Sequence, residues 1–234
     1  PTSACNLKCP LCPTGIGALN RPTGKMTFEQ FKQIVDEIKP YTPKLEVAGY
    51  GEPFINTDIC RMLKYAADAG VYIHLHTNAT LINTEKQVCD LVGSGLRLLT
   101  LSIDGATQET YGKYRMGGQL NVVLDNVKAI VQEKKHRGSI YPEIVCQVVV
   151  TRLNEQEVDD VRRIATEIGV DCFFAKTANL SMVRPVGSND IPKKFIDKFF
   201  PRNSTFRRYK IAEEQVYKDS CSWLYKRAFI MWNG

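Results

Sequence analysis

Between residues 27 and 177 the sequence alternates helix-period and strand-period segments, and that rhythm constrains the fold more than any other feature of the chain. Thr27 and Gln30 form a capping box opening a helix to about Lys39, with Phe31, Ile34, Val35 and Ile38 at helical spacing. A strand over about 44–50 follows, and a helix near 57–69 ends before Gly70. Residues 71–76 read as a strand, Thr84 and Gln87 cap a helix to about Val92, and 96–104 read as the next strand. A helix over 121–136 carries Val123, Leu124, Val127, Ile130 and Val131 on one side. A strand over 144–150, a helix opened by Asn154 and Glu157, and a strand over 171–176 complete the series.

Right-handed crossovers require such strands to lie parallel with helices outside them. With the stub before Cys5 counted as the end of a first strand, the series has six strands. It suits an α/β fold built as an incomplete, open (β/α)6 barrel of the TIM type, with a doubly wound sheet as the alternative. In either arrangement ligands gather at the carboxyl ends of the strands.

At 234 residues one such domain buries a substantial core. No apolar run is long enough to span a membrane and no secretory leader is visible, so no membrane partner is expected. Cys60, Cys89, Cys146 and Cys172 stand singly, which argues for buried thiols in a reducing, cytoplasmic setting rather than for a disulfide framework. The net charge of +6 discriminates little between partners. Because the chain begins at Pro1 and meets its cysteine loop at once, it reads as a piece of a longer protein.

The chemistry concentrates in Cys5, Cys9 and Cys12, a C-x-x-x-C-x-x-C run with no fourth cysteine or histidine in the following forty residues. Three thiolates on one loop can hold three irons of a cubane cluster and leave the fourth open to a ligand. A structural zinc site completed by a distant residue such as Cys60 or His74 is the alternative. A second motif, Gly49-Tyr50-Gly51-Glu52-Pro53, follows the apolar run Leu45, Val47, Ala48 and reads as a strand end with an acid at its mouth.

These two motifs in this order resemble the radical S-adenosylmethionine (SAM) superfamily. The resemblance implies a partial barrel, a [4Fe-4S] cluster on Cys5, Cys9 and Cys12, and SAM bound at the open iron. It further implies cleavage of SAM to a 5′-deoxyadenosyl radical that takes hydrogen from substrate, with a one-electron donor such as flavodoxin or ferredoxin. Gly49, Gly51, Glu52 and Pro53 would then hold the methionyl amine. Thr77-Asn78-Ala79 resembles the family's Thr-Asn-Gly turn with alanine in place of glycine, and Leu11 stands where many members carry an aromatic. Ser102, with Asp104 behind it, resembles the ribose-contacting strand.

Strand alternation independently turns Leu99, Leu101 and Ile103 to the helices and Thr100, Ser102 and Asp104 inward, and likewise His74 and His76 inward. The two histidines read as hydrogen-bonded lining residues. Gln147 and Val149 should face the same cavity, Arg115 follows the 96–104 strand and a short helical turn, and Lys176 closes the last strand, so Arg115, Gln147 and Lys176 are candidate catalytic or substrate contacts and Arg115 and Val149 candidate SAM contacts.

The basic segment 193–210 interleaves Phe195, Phe199, Phe200, Phe206 and Tyr209. Base stacking in a nucleic-acid-binding or RNA-modifying protein is one reading; an amphipathic connector packing its aromatics on the barrel is the preferred one. The tail, with Cys221, Trp223, Trp232 and Gly234, resembles the opening of a SPASM domain, which implies further iron-sulfur ligation with Cys221 as a ligand. The expected organisation is a radical SAM core over 1–190, a connector over 191–220 and the start of a SPASM-like extension over 221–234, acting on a peptide or small molecule.

Overall fold

The computed structural model describes residues 1–19, 22–180, 191–207, 230, 231 and 233. Helix α1 (Phe28–Ile38) opens as its sequence dictates: the Thr27 side chain accepts from the Gln30 N–H, and the Gln30 side chain accepts from the Thr27 N–H. Strand β1 (Lys44–Val47), helix α2 (Ile59–Asp68), strand β2 (Tyr72–Thr77) and helix α3 (Glu85–Val92) follow, α3 with the Thr84–Gln87 capping box. Strand β3 (Leu98–Ser102) leads into α4 (Gln108–Tyr114) and α5 (Leu120–His136); β4 (Glu143–Val150), α6 (Val158–Ile168), β5 (Cys172–Thr177) and α7 (Lys193–Phe199) complete the order.

The strands form one all-parallel sheet in the order β1-β2-β3-β4-β5. This sequential order excludes the doubly wound alternative, whose strand order reverses at a switch point. It gives the open barrel wall expected, with one correction to the strand count. Among the described residues the sheet has five strands, and the stub before Cys5 is no sixth: Thr2 makes an isolated antiparallel bridge with Lys25. The stub is held beside the end of β1 instead, where the Ala4 carbonyl accepts from the Glu52 N–H at 2.7 Å.

One sheet face is apolar. Val47, Ile73, Leu75, Leu99, Leu101, Ile144, Cys146, Val148 and Val150 are buried under Phe31 and Val35 of α1, Met62 and Leu63 of α2, Leu91 of α3, Val127 and Ile130 of α5, and Val161 of α6. Each such aliphatic side chain stabilises the fold by about 1.5–3 kcal/mol on burial. The other face is the barrel interior. It presents His74, His76, Thr100, Ser102 and Gln147, as strand alternation predicted, and Glu46 and Lys176 beside them.

Asn154 and Glu157 do not cap α6 with their side chains. Asn154 accepts from the Thr151 N–H at 2.7 Å and donates to the carbonyls of Asp104 and Val149, each at 3.0 Å. The Glu157 carboxylate reaches across to the start of α4, where it accepts from the Ala106 N–H at 2.7 Å and the Thr110 hydroxyl at 2.6 Å. Asn154 thereby ties the ends of β3 and β4 together, and Glu157 ties the start of α6 to the start of α4.

The described part of the basic segment is a docked connector. Phe199 and Phe200 are buried with Leu11, Tyr114, Ala178 and Leu180, and the Glu155 carboxylate accepts from the Arg202 and Asn203 N–H groups at 3.1 and 2.9 Å. Tyr209, Cys221, Trp223 and Trp232 lie outside the described residues.

Candidate functional site

The cysteine loop is folded back on itself. Cys12 N–H donates to the Cys9 carbonyl at 3.1 Å, and a side chain at Gly15 would collide with the Cys9 backbone, so this close return requires glycine. Cys9 is buried, and Cys5 and Cys12 are half-buried. Leu11 anchors the loop from below in the cluster with Phe199 and Tyr114.

Two donors reach the sulfurs from elsewhere in the chain. Asn78 Nδ2 stands 4.0 Å from Cys5 Sγ, and Arg115 Nη1 stands 3.7 Å from Cys9 Sγ. Burial pushes both thiols up in pKa; at Cys9 the Arg115 guanidinium opposes that rise. Deprotonation of these thiols therefore calls for cationic partners, iron included.

The donor set fits a cluster better than a single ion. Ligands of one tetrahedral zinc sit within about 4 Å of one another. Among the described residues, the His, Cys, Asp and Glu group with all its ligand atoms within 4.8 Å of one another is Glu46, His74 and His76, not the three cysteines. Sulfurs spread farther apart suit separate corners of a cubane.

Glu52 is the structural hub of the Gly-Glu turn. Its side chain is only 2% exposed, and burial raises its pKa against the pull of the three donors that its oxygens accept from: Phe54 N–H at 3.2 Å, Thr77 hydroxyl at 2.6 Å and Asn78 N–H at 2.8 Å. It thus bonds the end of β1 to the end of β2. Gly51 adopts φ +107°, and a Cβ there would strike the Thr2 carbonyl, so glycine lets the turn pack on the stub preceding the cysteines. Gly49 also has positive φ, +105°, and Pro53 opens the buried 3-10 turn at 53–55. Asn78 completes the bridge to the cysteine loop, donating to Asn6 Oδ1 at 3.0 Å.

A second hub lies at the ends of β3 and β4. Asp104 is fully buried and forms an ion pair with Arg115, while its other oxygen accepts from the Val149 N–H at 2.5 Å. The Asp104 carboxylate holds the Arg115 guanidinium well above its usual pKa despite burial. Ser102 faces Gln147 in register and Val149 faces Lys176, so these four lie together on the interior face.

The structure thus brings Cys5, Cys9, Glu52, Asn78, Asp104, Arg115 and Val149 into one hydrogen-bonded array at the strand carboxyl ends, as expected of the fold. Lys176, Ser102 and Gln147 line the wall beyond it. Asn154 and Glu46 were missed as candidates. Asn154 carried a helix-cap signature that concealed its reach to Asp104, whereas the position of Glu46 on the inward phase of β1 was a usable signal.

Comparison with known proteins agrees with this geometry. The family model described as "Radical SAM superfamily" matches residues 1–171. The chain is 30% identical over 173 residues to the AdoMet-dependent heme synthase of Methanosarcina barkeri, covering 74% of this chain and 47% of that protein. It is 29% identical over 186 residues to the mycofactocin maturase MftC of Mycobacterium ulcerans, covering 80% and 46%. The crystal structure of Streptococcus suis SuiB bound to S-adenosylmethionine shares the fold, with a TM-score of 0.64 at 19% identity over 81% of this chain and 41% of that one; SuiB has also been solved bound to its precursor peptide SuiA. The chain spans about half the length of the curated relatives it matches. With the family model covering most of its length and the cysteine loop set against the strand ends, the chain belongs to the radical SAM superfamily.

Proposed function

We propose that this chain is the SAM-cleaving core of a peptide-modifying enzyme, with a [4Fe-4S] cluster held by Cys5, Cys9 and Cys12. The observation carrying this reading is the meeting of the cysteine loop with the Glu52–Asn78 and Asp104–Arg115 hubs, through the contacts of Asn78 with Cys5 and of Arg115 with Cys9. Such a cluster, when bound and reduced, supplies an electron that cleaves SAM to a 5′-deoxyadenosyl radical able to take hydrogen from carbon.

The protein's own task is positioning and exclusion of water. The carbonyls of the 49–51 turn, fixed in place by Glu52 and Pro53, accept from the methionyl ammonium of SAM. Thr77 and Asn78 hold that turn to the cysteine loop. Ser102, with Asp104 behind it, contacts the ribose, and Val149 and Arg115 border the nucleoside. Gln147 and Lys176, farther along the interior wall, meet the substrate. A peptide substrate is favoured because relatives named as a maturase and as a precursor-peptide complex share this core. A flavodoxin- or ferredoxin-type donor in the cytoplasm supplies the electron.

The domain reading is a core over 1–190, a connector over 191–220, and the start of a SPASM-like extension over 221–234 in which Cys221 ligates an auxiliary cluster. Anaerobic reconstitution tests the core reading. It should give about one [4Fe-4S] per chain and formation of 5′-deoxyadenosine from SAM, with cluster lost in each of Cys5→Ala, Cys9→Ala and Cys12→Ala. Stoichiometric zinc with no capacity for a cluster overturns it. Iron per chain in a longer form, with and without Cys221→Ala, tests the extension.

A further inference from the structure

A second metal-competent group stands in the barrel interior, apart from the cysteine loop. Glu46 on β1 pairs in register with His74 on β2, and His76 follows two residues later on the same face. The ligand atoms of Glu46, His74 and His76 all lie within 4.8 Å of one another, and the two imidazole rings are 4.1 Å apart at 38°. Two imidazoles and one carboxylate are the donor set that binds zinc, manganese or iron while leaving coordination positions open.

Two details favour a metal over a simple ion pair. His76 Nε2 is buried and sits 3.2 Å from Glu46 Oε1, yet it makes no hydrogen bond of acceptable geometry. A cation there gives the buried His76 nitrogen a partner. His74 Nε2 is 2.8 Å from Thr100 Oγ1, and with Nε2–H donating to that hydroxyl the lone pair falls on Nδ1. Metal-binding histidines are characteristically oriented this way, by an outer partner on the second ring nitrogen.

We propose that Glu46, His74 and His76 form a binding site for a divalent metal of the zinc class in the barrel interior, through two imidazole nitrogens and one carboxylate oxygen. Lys44 and Lys176 oppose a cation here, but both are exposed and their charges are screened by water. Ser102, Gln147 and Lys176 share this interior face of the sheet, so a metal held here would be placed to bind a carboxylate or carbonyl of the substrate.

Zinc chloride titrated by calorimetry into the Cys5→Ser, Cys9→Ser, Cys12→Ser protein isolates this site from the thiolates. One equivalent should bind, and His76→Ala or His74→Ala in that background should weaken binding by about 100-fold, with Thr100→Val costing about 10-fold. Manganese(II) should give an immobilised paramagnetic spectrum that the same substitutions abolish. In the cysteine-intact, reconstituted protein, His76→Ala should leave cluster iron unchanged, so loss of the cluster reading and loss of this site are separately visible. No zinc bound, zinc binding indifferent to both histidines, or binding of inorganic phosphate in place of zinc overturns the proposal. Circular dichroism of each variant, with His76→Gln as the milder change, excludes misfolding as the cause of a negative result.

Discussion

Arg115 follows Cys9 by 106 residues, yet its Nη1 lies 3.7 Å from the Cys9 sulfur while its Nε is bonded to the buried Asp104 carboxylate. One guanidinium therefore links the cysteine loop to the ends of β3 and β4. Its burial makes the linkage costly to break: the Arg115 side chain is 14% exposed and that of Asp104 is 0% exposed.

Removing one partner of a buried ion pair leaves the other charged and unsolvated, a loss of about 3–5 kcal/mol. Arg115→Ala should therefore lower the urea midpoint sharply. Asp104→Asn combined with Arg115→Ala should cost clearly less than the sum of the two single changes, because no charge is stranded. Additive losses in that double-mutant cycle would show that the pair contributes no coupling.

Glu52 is positioned to report separately on architecture and on ligand binding. Glu52→Gln replaces one acceptor oxygen by a donor while Phe54 and Asn78 still present N–H groups, so it should destabilise the fold by about 1–3 kcal/mol. Thr77 offsets part of this, since its hydroxyl can rotate to accept. Glu52→Ala should reduce SAM affinity in equilibrium dialysis while iron content stays at the wild-type level. Unchanged SAM affinity would confine Glu52 to tying β1 to β2.

The barrel wall was legible because a strand's period of two leaves a strong trace when one face is apolar, as in Leu99-Thr100-Leu101-Ser102. The capping boxes at Thr27 and Thr84 were legible because their bonds close within four residues. Asn154 and Glu157 show the same local pattern and spend it on distant partners, a choice governed by tertiary packing that spacing does not encode. The stub before Cys5 lacks enough residues for alternation to reveal that it bridges rather than joins the sheet. Ala79 shows the converse. It departs from the family's glycine and still adopts φ +59°, the left-handed conformation that glycine favours, so the turn geometry persists without the residue that signals it.

Thiol chemistry gives an independent check on burial. Desolvation pushes the Cys60 and Cys146 thiols up to about 12, so at pH 8 only on the order of one in ten thousand is thiolate. Iodoacetamide at that pH should label the exposed Cys172 well before either, as read by mass spectrometry of the digested protein. Equal labelling of Cys146 in the native protein would contradict its position under the helices.

The connector is the last element whose contribution can be isolated. Phe199 and Phe200 pack on Leu11 and Tyr114, next to Cys12 and Arg115 in the chain, and Glu155 holds the backbone at 202 and 203. Phe199→Ala removes one of the two buried rings of that contact and should cost about 3–5 kcal/mol if the segment unfolds with the barrel. If the connector instead opens on its own, hydrogen exchange should rise in 191–207 while the amides of β2 and β3 stay protected. Glu155→Gln should produce the same local pattern more weakly, since an amide oxygen still accepts from one of the two N–H groups. Either substitution loosens the support under Leu11, so the visible absorbance of a reconstituted cluster should fade faster in air than in the unsubstituted protein. Equal fading, together with unchanged exchange over 191–207, would mean that the connector neither shields nor braces the cysteine loop.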